Sequence, residues 1–208
     1  LKSLEKPSIF YDKNIIDMEK SEHRYDELYT SACVMLIKNN ISLDEPIIDI
    51  GCGIGAFAKY LKQFGFKKYV GIDFSEKAID RAKERFPEYR FICGNLITDK
   101  VPKKIIKKGN VFVCFEVLEH IENDKEIIKC IPENSLFIFS VPNISGHGHV
   151  RWFENQNKVE ERYSDVVQFT EEKNQMIKKG KPHHKLFLFK TYVKERKNEK
   201  STIEQIMD

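Results

Sequence analysis

The sequence predicts an α/β fold built on a largely parallel sheet, and three observations predict it. Short apolar runs alternate with helical segments between positions 46 and 141, the pattern of βαβ units. The runs are apolar at every position rather than at every second one, as expected of strands covered by helices on both faces. The first run ends in a glycine-rich turn that opens a helix.

Taken in order, residues 1–20 are mixed, broken by Pro7 and Asp12-Lys13-Asn14. From Glu22 to Lys38 the residues Tyr25, Leu28, Tyr29, Ala32, Met35 and Leu36 recur at three and four, which predicts an amphipathic helix ended by Asn39-Asn40. Pro46–Ile50 reads as a buried strand, and Ala56–Phe64 as a helix with Phe57, Tyr60, Leu61 and Phe64 on one face. Tyr69–Ile72 is a second strand. Ser75 caps a helix that runs to Phe86 and stops at Pro87. Tyr89–Cys93, Val111–Phe115 and Leu136–Val141 are further strands, with a helix over Asn123–Cys130; the lysine-rich 96–109 stretch has no assignment. Beyond Pro142, Val150–Tyr163 reads as a helix, and Asp165–Thr170 with Lys185–Lys194 as a closing antiparallel pair. The lysines from Lys178 to Lys194 fit a solvated edge strand better than a surface for an anionic substrate. The whole is one domain, 1–208: a helical segment at 1–42 able to serve as a lid, a ligand-binding core at 46–143, an acceptor side with terminal strands at 144–195, and a polar tail at 196–208.

Composition narrows the function classes. The 208 residues suit a single domain. At 41% apolar and 32% charged the chain is globular rather than disordered or membranous. Lys plus Arg is 35 and Asp plus Glu is 32, so the net charge of +3 gives no argument for nucleic acid or a membrane surface. No run approaches the roughly 18 apolar residues of a membrane span, and Leu1–Pro7 lacks the apolar stretch of a signal peptide. Five cysteines without a CxxC pair read as reduced thiols, with Cys93, Cys114 and Cys130 in apolar surroundings. A cytoplasmic location is the expectation.

Asp49-Ile50-Gly51-Cys52-Gly53-Ile54-Gly55-Ala56 is the most informative stretch. Its glycines allow a tight turn and a close approach of backbone to a ligand, and the helix that follows presents free N–H groups. Gly51, Gly53 and Ala56 fit a dinucleotide fingerprint, GxGxx(G/A). Asp49, at the strand's end, matches a pyrophosphate poorly and suits a ligand bearing an ammonium and a sulfonium, namely S-adenosylmethionine. Asp73 follows Gly51 by 22 positions, at the tip of the second strand. A carboxylate there accepts from ribose hydroxyls in either ligand class, and Phe74 beside it is placed to cover an adenine.

With these pieces the sequence resembles the class I S-adenosylmethionine-dependent methyltransferases. The matching segments are IIDIGCGIGAFAKYL (47–61), YVGIDFSEKAIDRAKERFP (69–87), FICGNL (91–96), NVFVCFEVLEHI (110–121) and LFIFSVPN (136–143), in the family's order. The FEVLEH form resembles the small-molecule branch that includes ubiquinone-pathway O-methyltransferases. The resemblance implies a Rossmann-like seven-stranded sheet of order 3-2-1-4-5-7-6 with the last strand antiparallel. It implies S-adenosylmethionine as cofactor, leaving as S-adenosylhomocysteine. By the same resemblance Asp49, Gly51, Cys52, Gly53 and Gly55 line the methionine and ribose part, and Asp73 holds the ribose. Asn95 and Leu96 approach the adenine, and Phe115 and Glu116 flank the transferable methyl. Asn110 stands where many relatives have Asp, and the match loosens after 143, where acceptor specificity lies.

A hydroxyl acceptor benefits from a general base, most often histidine. His147 and His149, in Ser145-Gly146-His147-Gly148-His149, follow the fifth strand, where open α/β sheets bind ligands. They are the catalytic candidates, with a flexible connector as the plainer alternative. The Glu116–His120 run also resembles that of divalent-ion-binding methyltransferases acting on small-RNA ends. No downstream His-x-x-His completes the ligand set, so no metal is expected. Arg151, Trp152 and Phe153 are either pocket or core.

The leading expectation is methyl transfer to an oxygen or nitrogen of a small-molecule acceptor. An RNA methyltransferase is the alternative that the weak net charge disfavours. A non-catalytic cofactor-binding subunit needing a partner chain is another, and a homodimer is compatible with either. An NAD-dependent oxidoreductase is disfavoured by Asp49 and the wider motif set.

Overall fold

The computed structural model describes residues 5–170, 175–178 and 184–196. Its strands form one sheet: β1 (Ile47–Ile50), β2 (Tyr69–Asp73), β3 (Arg90–Cys93), β4 (Val111–Phe115), β5 (Leu136–Pro142), β6 (Val167–Phe169), β7 (Gln175–Lys178) and β8 (Lys185–Val193). The order is β3-β2-β1-β4-β5-β8-β6, with β7 also paired to β8. β1 to β5 run parallel, and β8 is antiparallel to β5. This is the expected order with one elaboration, because two short strands share the outermost position. β6 pairs with Thr191–Val193 and β7 with Lys185–Leu188.

Alternate strand residues feed two cores. Val111, Val113 and Phe115 of β4 face α3 (Asp26–Lys38), α4 (Ala56–Gln63) and α5 (Glu76–Arg85). Phe112 and Cys114 face α6 (Lys100–Ile106), α7 (Asp124–Cys130) and α8 (Gln156–Tyr163). Burial on both sides is why the strands read as unbroken apolar runs. On the second face Phe137, Phe139 and Phe189 stack at 5.2 Å spacing. Each buried phenyl ring contributes about 1.5–3 kcal/mol through the area it removes from water.

Several expectations are corrected. Residues 5–21 contain two short helices, α1 (Ser8–Asp12) and α2 (Ile15–Ser21). Pro7 is the N-cap of the first, and Lys13-Asn14 the turn between them, so the breakers punctuate helices. A 3-10 turn, Glu22–Tyr25, precedes α3. Residues 96–109 include α6, whose Pro102 lies in the first turn, where its missing N–H is not needed. The helix expected from Val150 begins only at Gln156, where Asn155 Oδ1 accepts from Lys158 N at 3.1 Å. β8 is an interior strand rather than a solvated edge. Its Lys190 is buried and donates to Asn39 Oδ1 at 2.9 Å. Of the thiols, Cys114 is buried and Cys130 half-buried, but Cys93 is exposed at the end of edge strand β3. No described helix is long and apolar enough to cross a membrane.

Candidate functional site

A cavity of about 500 Å³ opens at the carboxyl ends of β1, β2 and β4, with α1 and α2 over it, within the range typical of small-ligand sites. The glycine turn forms part of its floor. Gly51 has φ +76° and a Cβ there would lie 2.3 Å from Val117 Cγ2; Gly53 has φ +51° and faces open space. Gly51 N and Cys52 N donate to Ile72 O, at 2.8 and 3.1 Å, tying the turn to β2. Asp73 completes the tie: Oδ2 accepts from Gly53 N and Oδ1 from Ser75 N, both at 2.9 Å. Burial pushes the Asp73 carboxyl up, against the pull of these N–H donors.

Of the residues expected to hold a cofactor, Gly51, Gly53, Asp73, Phe74, Asn95, Leu96 and Glu116 line this cavity. Asp49, Cys52, Gly55 and Phe115 do not. Asp49 is sealed beneath the turn, where Tyr69 Oη donates to Oδ2 at 2.6 Å and burial pushes the carboxyl pKa up to about 7. Phe115 belongs to an aromatic cluster with Phe57 at 4.9 Å and Tyr29 at 5.7 Å. Asn95 Oδ1 accepts from Ile97 N at 2.8 Å, which shapes the loop after β3. Glu116 has φ +58°, a left-handed conformation costing about 1–2 kcal/mol for a side chain with a Cβ. Ser140 Oγ, which accepts from Glu116 N at 3.1 Å, helps to hold it. Strain of this kind clusters at functional sites.

The opposite wall gathers residues distant in sequence. His147 and His149 both line the cavity, with His120 beside them. His120 and His149 rings lie 4.8 Å apart, edge to face, and His120 Nδ1 is 3.1 Å from Gly148 O. A proton on Nδ1 makes that a hydrogen bond and leaves Nε2 as the acceptor. Glu119 is fully buried, with Oε1 3.9 Å from His120 Nε2. One ligand atom from each of Glu119, His120 and His149 falls within 4.8 Å of the others, a set able to hold a metal ion. The two loop glycines make room for these rings: a Cβ on Gly146 would lie 2.7 Å from His149 Cε1, and one on Gly148 would lie 3.3 Å from His120 Nδ1.

Sequence reasoning missed Phe10 and Tyr11. Phe10 lies 4.9 Å from the His147 ring, while Tyr11 spans Phe74 at 5.4 Å and His120 at 5.8 Å. Burial, with Glu119, Glu5 and Asp73 nearby, pushes the Tyr11 phenol up to about 12, so it stays protonated at neutral pH. Neither has a periodic pattern to announce it. Arg151 lies outside the cavity. Its guanidinium donates to Leu118 O at 2.5 Å, to Ile121 O and to Glu122 O at 2.8 Å, and pairs with Asp124 at 3.1 Å. Phe153 is core and Trp152 is 51% exposed.

This fold and chain match known proteins. Residues 22–179 fit the family model described as "Methyltransferase domain". A ubiquinone biosynthesis O-methyltransferase of Rickettsia bellii is 31% identical over 128 residues, 58% of this chain and 52% of the relative, so the chain spans about half of that relative's length. The S-adenosylmethionine-bound magnesium protoporphyrin IX methyltransferase of Synechocystis superposes with TM-score 0.61 at 16% identity, over 87% of this chain and 84% of that one. The N-methyltransferase NodS of Bradyrhizobium japonicum, with S-adenosyl-L-homocysteine, gives 0.63 at 15% identity, over 88% and 99%. With more than half of its residues inside the family model, on a sheet of the expected order, the chain belongs to the methyltransferase-domain family.

Proposed function

We propose that this chain binds S-adenosylmethionine in the cavity and transfers its methyl group to an oxygen or nitrogen of a small-molecule acceptor. One observation carries the reading: a single cavity has the glycine turn and Asp73 on one wall and three histidines on the other. In this reading the backbone at Gly51 and Gly53 faces the methionine part. Asp73, oriented by Gly53 N and Ser75 N, accepts from the ribose hydroxyls. Phe74 and Tyr11 flank the adenine, with Asn95 and Leu96 at its edge. Asp49 acts from below, by holding Tyr69 and the strand under the turn. Phe115 acts likewise, through its packing on Phe57 and Tyr29.

Methyl transfer is an in-line displacement at the sulfonium, so alignment contributes first. α1 and α2 close over the cavity and exclude water from the reacting centre. His147 or His149, on the acceptor wall, takes the proton from a hydroxyl as the methyl arrives. An acceptor enclosed by this lid is small, which favours a metabolite over RNA.

The Glu119, His120 and His149 geometry favours a second reading of the acceptor wall, in which these three residues would hold a divalent cation whose chemistry there would be Lewis-acid activation of the acceptor. Calorimetric titration decides both points. S-adenosylmethionine and S-adenosylhomocysteine should bind, NAD should not, and Asp73→Ala should abolish binding; NAD binding alone overturns the cofactor reading. Mg²⁺, Mn²⁺ and Zn²⁺ titrated into wild type and Glu119→Gln separate the histidine-base reading from the metal reading.

A further inference from the structure

We propose that Arg85 is a positioning residue that makes lid closure and the shape of the glycine turn one coupled event. The inference deepens the cofactor-binding reading above and rests on it for its ligand arm.

Arg85 ends α5, and its two terminal nitrogens serve different segments. Nη1 donates to Ile54 O at 2.9 Å, the carbonyl between Gly53 and Gly55. Nη2 donates to Glu22 Oε2 at 2.5 Å. Glu22 opens the 3-10 turn that follows α2, so it is the root of the segment carrying Phe10, Tyr11 and Met18 over the cavity. The guanidinium also lies 5.1 Å from the centre of the Phe86 ring, and Phe86 Cδ2 packs 3.2 Å from where a Gly55 Cβ would stand. One planar fork therefore touches the lid's root, the turn's carbonyl and the ring beneath the turn.

Burial of both partners sets this contact apart from the lid's other ion pairs. Glu22 and Arg85 side chains are 9% and 18% exposed. The Glu19–Arg81 pair is 32% and 41% exposed, where water and salt screen it. Lys59 reaches Glu22 only at 3.7 Å. A planar guanidinium can satisfy a carbonyl and a carboxylate together; an ammonium on a flexible stem cannot hold both in fixed geometry. The guanidinium thus joins the turn's carbonyl directly to the lid's root, beside a longer route from Gly53 N through Asp73 and Ser75 to Asp12 of α1, and a ligand that fixes the turn restrains the lid through it.

Amide hydrogen exchange on the full chain tests this, in wild type, Arg85→Ala, Arg85→Lys and Glu22→Gln, with and without S-adenosylhomocysteine. Without ligand, Arg85→Ala should speed exchange of the 8–21 amides on the order of tenfold, the scale of a lost charge-assisted hydrogen bond. Arg85→Lys should restore this only in part, and strands β1, β4 and β5 should keep their protection. With ligand, wild type should gain protection at both 51–55 and 8–21, whereas Arg85→Ala should gain it at 51–55 as wild type does but several-fold less at 8–21, where only direct ligand contact remains, and release ligand faster. Unchanged lid exchange in ligand-free Arg85→Ala, or a ligand-induced gain at 8–21 in that variant equal to that of wild type, overturns the coupling. Should Arg85→Ala not fold, the isosteric Glu22→Gln decides: faster lid exchange supports the coupling and unchanged exchange overturns it. If wild type binds no S-adenosylhomocysteine, the cofactor reading fails, and the ligand-free arm still decides whether Arg85 holds the lid.

Discussion

The two walls of the cavity are built from different materials. The wall at β1 and β2 is mostly backbone: glycines in left-handed conformations, N–H groups donating to Ile72 O, and one carboxylate clamped by two more N–H groups. The facing wall is mostly side chains, three imidazoles and two lid aromatics, with the buried Glu119 carboxylate, Arg151 and Asp124 behind them. A backbone-built wall binds what every member of a fold family shares. A side-chain-built wall is free to vary, which is why the proposed function puts the choice of acceptor there.

The largest test strikes the support of the side-chain wall. Asp124 is buried, accepts from Arg162 at 2.6 Å and from Tyr163 Oη at 2.6 Å, and forms an ion pair with Arg151 at 3.1 Å. Asp124→Ala leaves these cations without their carboxylate and should cost about 3–5 kcal/mol, read as a fall in Tm. S-adenosylhomocysteine affinity of the folded fraction should stay within a few-fold of wild type; a collapse of affinity would erase the distinction between the walls.

Gly51→Ala strikes the backbone wall. The new Cβ meets Val117 at 2.3 Å and takes a left-handed φ, so the cost should be about 2–3 kcal/mol. Here cofactor affinity should drop even where the variant folds, as calorimetry would reveal.

Asp49 tests the wall's foundation through pH. Burial raises its folded pKa to about 7, well above the ordinary carboxylate range. The folded state therefore holds a proton that the unfolded state has released, and the contribution is full at low pH and lost as pH rises from about 4 through 7. Asp49→Asn should flatten that part of the stability profile in urea unfolding measured from pH 4 to 8. An unchanged slope would mean that Asp49 does not titrate in this range.

The smallest effect belongs to the lid's outer tie. Glu19→Gln should change stability by less than about 1 kcal/mol, and the difference should vanish in high salt. A larger, salt-resistant effect would move the lid's main anchor away from Arg85.

These differences also decide what could be read from sequence. The backbone wall was legible because strand, glycine turn and Asp73 lie within 27 residues, 47 to 73, and each residue type answers a local need. The sheet order was legible through the family resemblance, and the division of its outer position between β6 and β7 was not. His147 and His149 were noticed from their place after the fifth strand. That His149 meets Glu119 and His120 was not legible, because the contact depends on a loop folding back so that Val150 N donates to Glu119 O at 2.8 Å. The helices of residues 8–21 escaped because they are too short to show a period. Asp49, at a strand's end, has the sequence position of a ligand contact, and only the fold shows that Tyr69 on the neighbouring strand donates to its carboxyl.

The place of β8 also has a consequence for the order in which the chain can be assembled. β8 lies between β5 and β6 although it follows both in sequence. During synthesis β1 to β5 can pair as they emerge, yet β6 has no neighbour to join until residues 185–193 arrive. Until then the seven residues of β5 present an unpaired edge, open to the wrong partner. The stretch from 142 to 185 is the interval over which a nascent chain must be kept from using it.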